Sequence, residues 1–92
     1  MLTLKSPGAL GAVLRETRTA LRIPAEDLAA MVGTSPVTLR RLEQGNPTAA
    51  IKMLFTLMDE LGLDLQVSLP PGVGPIILPD EQSRPRRTRV RP

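Results

Sequence analysis

The 92-residue sequence contains no cysteine, no histidine and a single aromatic residue, Phe55. The absence of cysteine excludes disulfide bonds and thiolate metal sites. The absence of histidine removes the commonest general base and the commonest metal ligand. Because Phe55 is the one aromatic residue, any hydrophobic core must be almost entirely aliphatic. A short chain without these groups is a poor candidate for an enzyme, so we expect neither catalysis nor a bound cofactor or metal.

The sequence also lacks any apolar run long enough to span a membrane. Its first residues, MLTLKSPGALGAVL, are interrupted by Lys5, Ser6 and Pro7 and have no basic region typical of a signal peptide. We therefore expect a cytoplasmic protein with no membrane partner. Hydrophobic residues make up 41% of the chain, which favours one globular domain over disorder.

The net charge of +3 lies entirely at the carboxyl end of the chain. Residues 1–79 contain seven basic and seven acidic residues, whereas residues 80–92 contain five arginines and two acidic residues. Proline and glycine are frequent in residues 70–79, and residues 80–92 have no core-forming pattern. We predict a folded domain over residues 1–69, an irregular segment over 70–79 and a disordered basic tail over 80–92.

The periodic spacing of apolar residues predicts four helices, over residues 7–21, 23–32, 36–44 and 48–61. Ser6, Ser35 and Thr48 are suited to cap the first, third and fourth helices. Gly33 and Gly62 are suited to end the second and the fourth. The residues expected to face the core from the first helix are Leu10, Val13, Leu14, Thr17 and Leu21. From the fourth helix they are Ile51, Leu54, Phe55, Leu57, Met58 and Leu61.

After the fourth helix the period changes to strict alternation, which predicts one short, half-buried strand. Its apolar residues are Leu63, Leu65, Val67 and Leu69. A lone strand exposes two rows of backbone groups and therefore needs a partner. One partner would be a return strand at residues 76–78, which Pro75 and Pro79 bracket tightly. We favour the same strand from a second chain, which makes the protein a homodimer with Leu65 and Val67 over the two fourth helices.

Residues 28–45 predict two short helices joined by a three-residue turn, which is a helix-turn-helix. On the second of these helices, Leu39 and Leu42 fall on the inward face. The opposite face carries Arg40 and Arg41, whose guanidinium groups can bind guanine through two hydrogen bonds. The residues predicted to contact DNA are Ser35, Pro36, Val37, Thr38, Arg40, Arg41 and Gln44. The alternative is an ordinary helical hairpin whose arginines are only solvated.

The same stretch resembles a known family, the Xre/Cro-type repressors. The resemblance runs over residues 10–69 and is carried by Leu28-Ala29, Val32-Gly33, Ser35, Thr38-Leu39 and Leu42-Glu43-Gln44-Gly45. Residues 45–69 are most similar to HipB-like antitoxins of toxin–antitoxin pairs. The resemblance implies a mainly α fold, a four- to five-helix bundle of the phage-repressor type. It adds one short C-terminal strand that pairs across a dimer.

The resemblance also has consequences for single residues. It implies an ion pair between Arg18 on the first helix and Glu43 near the end of the third, which lies at the edge between the two faces. It contains one departure as well. Pro24 and Ala25 stand where the family usually has Thr or Ser followed by Gln, side chains that meet a phosphate and the first recognition residue.

These patterns predict a sequence-specific, nucleoid-associated repressor that binds an inverted-repeat operator in double-stranded DNA. We expect Arg40 and Arg41 to read bases, Val37 to contact a thymine methyl group, and Thr38 and Gln44 to lie at the DNA backbone or at the edge.

The resemblance implies that the protein is the antitoxin of a HipBA-like operon, which represses its own promoter and binds a HipA-like kinase toxin. One alternative is a stand-alone Xre-type repressor without a toxin. The other is a protein-interaction module that has lost DNA binding, since Pro36 and Val37 offer no hydrogen bond to a base edge. The basic tail is a solvated terminus, an arm on DNA or a segment that orders against a partner.

Overall fold

The structure is a computed structural model that describes residues 2–46, 48–76 and 78. Its elements are β1 (Leu2–Leu4), α1 (Pro7–Ala20), α2 (Ala25–Val32), α3 (Pro36–Glu43), α4 (Ala49–Leu61) and β2 (Leu65–Val67). The fold is mainly helical, as predicted, and the bounds of the four helices differ from the predicted bounds by at most two residues. The basic tail, residues 80–92, lies outside the described residues. No helix in the described part of the chain is both long and apolar enough to cross a membrane.

Capping side chains mark the starts of three helices, and a glycine marks the end of α2. Backbone N–H groups in the first turns of α1, α3 and α4 donate to the hydroxyl oxygens of Ser6, Ser35 and Thr48, at 3.1, 3.1 and 3.3 Å. These bonds satisfy donors that a helix leaves free at its start. Gly33 ends α2 in the left-handed conformation, with φ of +78°, which a residue without Cβ adopts at little cost.

The strand prediction is wrong in its extent and in its premise of a lone strand. β2 covers Leu65–Val67 rather than residues 63–69, and it pairs antiparallel with β1 of the same chain. The register pairs Leu2 with Val67 and Leu4 with Leu65. Three residues are too few for alternation to be recognised in a sequence, so β1 was not predicted. Among the described residues, no strand pairs along the other edge of β2.

One core cluster lies between this sheet and the first half of α1. Its buried members are Leu4, Ala9, Val13 and Leu78, and Leu65, Val67, Leu69 and Ile76 pack against them. Leu65 and Val67 therefore cover α1 of their own chain, and the expectation that they cover two α4 helices is wrong. Leu78 is only 3% exposed, which brings the proline-rich segment onto the domain. Residues 76 and 78 are not in a strand, and Ile77 lies outside the described residues.

The fourth helix buries fewer residues than predicted. Phe55 is buried, and Ile51 and Met58 are half-buried. The exposed fractions of Leu54, Leu57 and Leu61 are 48%, 51% and 69%. These three leucines, three and four residues apart, form one line along the helix, which we term the α4 stripe. Because α4 is apolar on both its inward face and this flank, periodicity alone could not separate covered from uncovered residues.

The first helix shows the same kind of difference. Val13 is buried as predicted, but Leu14 and Leu21 are exposed. Ala9 and Gly11 are buried instead. The inward face of α1 is thus lined by smaller residues than expected, because other helices approach it closely.

Candidate nucleic-acid interface

The second and third helices are joined by the three-residue turn that the sequence predicts. Gly33 leaves α2, and the backbone N–H of Thr34 donates to the carbonyl oxygen of Ala29 at 2.8 Å, which closes the helix end. Ser35 then caps α3. The chain therefore reverses direction within three residues, and this short connection holds the start of α3 against the end of α2.

A small apolar cluster packs α2 against α3. Its buried members are Ala25, Ala29 and Leu39, and Leu28 packs against them. Ala29 has no exposed surface at all. A methyl side chain at this position allows the two helix backbones to approach closely, and a larger one would separate them. The cluster therefore sets the angle at which α3 is presented.

The outward face of α3 carries most of the predicted DNA-contacting residues. Val37, Thr38, Arg40, Arg41 and Gln44 are all exposed, as is Ser35, whereas Pro36 is half-buried. Leu39 and Glu43 are buried on the opposite side. The structure therefore brings the predicted residues together on one surface, which we term the α3 face.

Two hydroxyl groups at the start of this face are partly occupied by the helix cap. The hydroxyl of Ser35 accepts from the backbone N–H of Thr38 at 3.1 Å and donates to Thr38 Oγ1 at 3.0 Å. Both hydroxyl groups therefore take part in the cap, and because a hydroxyl hydrogen rotates, either of them can keep its hydrogen for an outside acceptor.

The α3 face is positively charged. Arg40 and Arg41 make no ion pair or side-chain hydrogen bond within the described part of the chain. The one acid on α3, Glu43, is buried and faces Arg18 on α1. Both exposed guanidinium groups are therefore available to an anionic partner, and no carboxylate on α3 competes for them.

Arg18 and Glu43 form the ion pair that the resemblance implies. Arg18 Nε donates to Glu43 Oε2 at 2.7 Å, and Arg18 Nη2 donates to Glu43 Oε1 at 3.0 Å, so the contact is a two-pronged fork. Arg18 Nη1 also donates to the carbonyl oxygen of Ile23 at 3.0 Å. One side chain thereby ties α1, the α1–α2 turn and the last turn of α3.

The ion pair between Arg18 and Glu43 is largely shielded from solvent. The side chains of Arg18 and Glu43 are 15% and 3% exposed. The hydrogen bond that Arg18 donates to Glu43 raises the pKa of Arg18 and outweighs the lowering by partial burial, and the charges of Glu43 and Glu26 raise it further. The titration of Arg18 itself therefore leaves the stabilisation in place below the ordinary pKa of arginine, and removes it as the pH rises through the raised pKa.

Gly11 lies at the contact between α1 and α3, which the sequence patterns did not identify. A Cβ atom at this position would lie 2.7 Å from the carbonyl oxygen of Glu43 and closer still to that of Leu42. Glycine therefore allows the backbone of α1 to touch the last turn of α3. The signal in the sequence was a glycine inside a predicted helix, which often marks a close backbone approach.

Replacing Gly11 with alanine should therefore destabilise the protein, although alanine is the better helix former. The blocking atoms belong to the backbone of α3, so we expect a loss of about 1–3 kcal/mol in the free energy of unfolding. Urea denaturation measures this change. Gly62→Ala is a control for the same chemical substitution: its Cβ would meet nothing within 4 Å. It should cost only the left-handed backbone strain and leave DNA affinity unchanged. If Gly11→Ala is stabilising, the two helices are not in close contact there.

The comparison with known families agrees with this geometry. The model of the helix-turn-helix family HTH_3 matches residues 14–67, more than half of the chain. The chain belongs to this Xre-type helix-turn-helix family. Its helix-turn-helix domain makes the protein a DNA-binding transcription regulator. No curated protein matches the chain.

The helix-turn-helix match includes all of α2, α3, α4 and β2 but only the second half of α1. Gly11 and β1 therefore lie outside it. Within the described residues, no group of three or more acidic side chains is arranged to hold a metal ion.

Proposed function

We propose that the protein is a sequence-specific transcriptional repressor that reads an inverted-repeat operator with the α3 face. The observation that carries this proposal is the division of α3. Leu39 and Glu43 fix the helix to the domain, while Arg40 and Arg41 are exposed and have no ion-pair partner among the described residues. In a helix-turn-helix the second helix lies in the major groove, where arginine side chains can bind guanine O6 and N7.

Base reading and phosphate binding are distinguished by comparing two DNA duplexes. Arg40→Ala and Arg41→Ala should each weaken binding to the operator by about 1–3 kcal/mol and relax preference at one base pair. Binding to a random-sequence duplex should change much less, because base contacts carry the sequence information. Gel shifts with both duplexes measure the effect, and Arg15→Ala serves as a control for removing an exposed charge from α1. Equal losses on both duplexes would make Arg40 and Arg41 phosphate contacts.

We propose further that the repressor is a homodimer. β1 already occupies one edge of β2, and no other strand of the described residues pairs along the second edge, where a second copy could add its own strand. The α4 stripe and Leu63, which is 55% exposed, connect directly to this strand in the chain. A line of exposed leucines on a helix is unfavourable in water. In a two-fold dimer, the α4 stripe of one chain would pack against the α4 stripe of the other. The same axis would place the two α3 helices so that they read half-sites about one DNA turn apart.

The antitoxin role rests on the resemblance to HipB-like proteins, with a HipA-like kinase as the proposed toxin partner. Co-expression with the neighbouring gene, followed by purification and mass spectrometry, tests it: a stable complex with a kinase supports the antitoxin. A repressor that binds its own promoter and captures no toxin would be the stand-alone Xre-type alternative. A protein that shifts no promoter DNA at all would be an interaction module that has lost DNA binding.

A further inference from the structure

Arg22, in the turn between α1 and α2, has a backbone conformation that is unusual for arginine. Its φ is +60°, and it is the one residue other than glycine with positive φ in the described part of the chain. The left-handed conformation closes α1: the N–H of Arg22 donates to Thr19 O at 2.9 Å, and the N–H of Ile23 donates to Arg18 O at 3.1 Å. Glycine satisfies this turn with less strain, because the Cβ of other residues crowds the following carbonyl.

The Arg22 side chain makes no contact that would explain why arginine occupies this turn. It is exposed, and it makes no ion pair or side-chain hydrogen bond within the described residues. Glu26 and Asp27 follow a few residues later but do not pair with it. A strained residue that contributes no internal contact points to a function outside the folded chain.

The turn is held in a defined position relative to α3. Ile23, the next residue, gives its carbonyl oxygen to Arg18 Nη1 at 3.0 Å, and the same guanidinium grips Glu43 at the end of α3. When α3 enters a major groove, the helix before it crosses the sugar-phosphate backbone. Arg22 therefore lies in a fixed turn directly before α2, the helix that crosses the phosphates in this arrangement.

The first turn of α2 offers little to a phosphate by itself. Pro24 has no N–H, no side chain caps the helix, and Glu26 and Asp27 add two negative charges. These carboxylates would repel a phosphate group. A cation placed just before this turn compensates for them, and Arg22 is two residues away from Pro24.

From this arrangement we propose that Arg22 is a DNA contact residue whose guanidinium binds a backbone phosphate beside the site read by α3. The contact contributes affinity and orientation but no sequence preference. It rests on the proposed DNA binding through α3 and adds a residue that the α3 face does not include.

The test compares stability and DNA affinity in the same variant, because the two are expected to change in different directions. Arg22→Gly should leave the melting temperature unchanged or raise it, since strain is relieved. Its binding to a random-sequence duplex should weaken about eightfold at 0.1 M salt relative to wild type, and the salt slope should fall by about 0.9, the value for one lost phosphate contact. Fluorescence anisotropy from 0.05 to 0.3 M salt measures both.

Three further variants make the result interpretable. Arg22→Lys keeps the charge and should keep the slope. Arg22→Gln removes the charge without changing the preference of the backbone at this position. It should show the same fall in salt slope as Arg22→Gly, which would exclude a change in the turn as the cause. Arg15→Ala removes an exposed arginine from α1 and should leave the slope unchanged.

Two results would overturn the proposal. One is a salt slope that stays at the wild-type value in both Arg22→Gly and Arg22→Gln. The other is an equal fall of the slope in Arg15→Ala, which would mean that removing any exposed positive charge from this part of the protein has the same effect. Wild-type protein that binds neither random-sequence nor promoter duplexes would instead refute DNA binding itself.

Discussion

Replacing Glu43 with alanine is expected to lower the free energy of unfolding by about 3–5 kcal/mol. The substitution leaves the Arg18 guanidinium, 15% exposed, beside an empty space and without its carboxylate. A buried cation that loses its partner retains the full cost of desolvation. DNA binding should fall together with stability, because the same pair holds the last turn of α3 against α1. Thermal and urea denaturation, with gel shifts on the operator, measure the two effects.

A double variant shows whether Glu43→Ala destabilises the protein through the unpaired charge of Arg18 or through lost packing. Arg18→Met combined with Glu43→Leu removes both charges and keeps much of the volume, so it should recover most of the lost stability. The carbonyl of Ile23, which accepts from Arg18, would lose its partner, so recovery should not be complete. If Glu43→Ala loses DNA binding at unchanged stability, Glu43 acts elsewhere than in this pair.

The second large effect concerns the α4 stripe. Leu57→Lys and Leu61→Lys should convert the proposed dimer into monomers, because a two-fold interface places each lysine near its own copy in an apolar environment. The folded monomer should survive, since these side chains are 51% and 69% exposed. Loss of the second half-site contact should weaken operator binding about a hundredfold or more. Analytical ultracentrifugation and gel shifts report the two results.

The chain offers a matched control on the same helix. Thr56 is exposed on the polar side of α4, so Thr56→Lys adds the same charge away from the stripe. It should leave both the oligomeric state and operator affinity as they are. A Leu57→Lys variant that still sediments as a dimer would move the interface away from α4, and the edge of β2 opposite β1 would then remain as the site to test.

The sequence predicted the helices well because their signals are local. Ser6, Ser35 and Thr48 can cap a helix whatever the rest of the fold does, and Gly33 can end one. The α3 face was also predictable, since a helix winds each residue to a known angle. The same local reasoning could not find β1, whose three residues form a strand only because β2 lies beside them.

The sequence by itself determined four helices, their capping residues, the helix-turn-helix and the identity of its outward side chains, because these depend on residues close together in the chain. The tertiary structure decided which apolar faces are covered. It packed Leu65 and Val67 onto α1, left the α4 stripe exposed and required glycine at position 11. Those outcomes depend on how close residues far apart in sequence approach each other, and periodicity within one element contains no information about that distance.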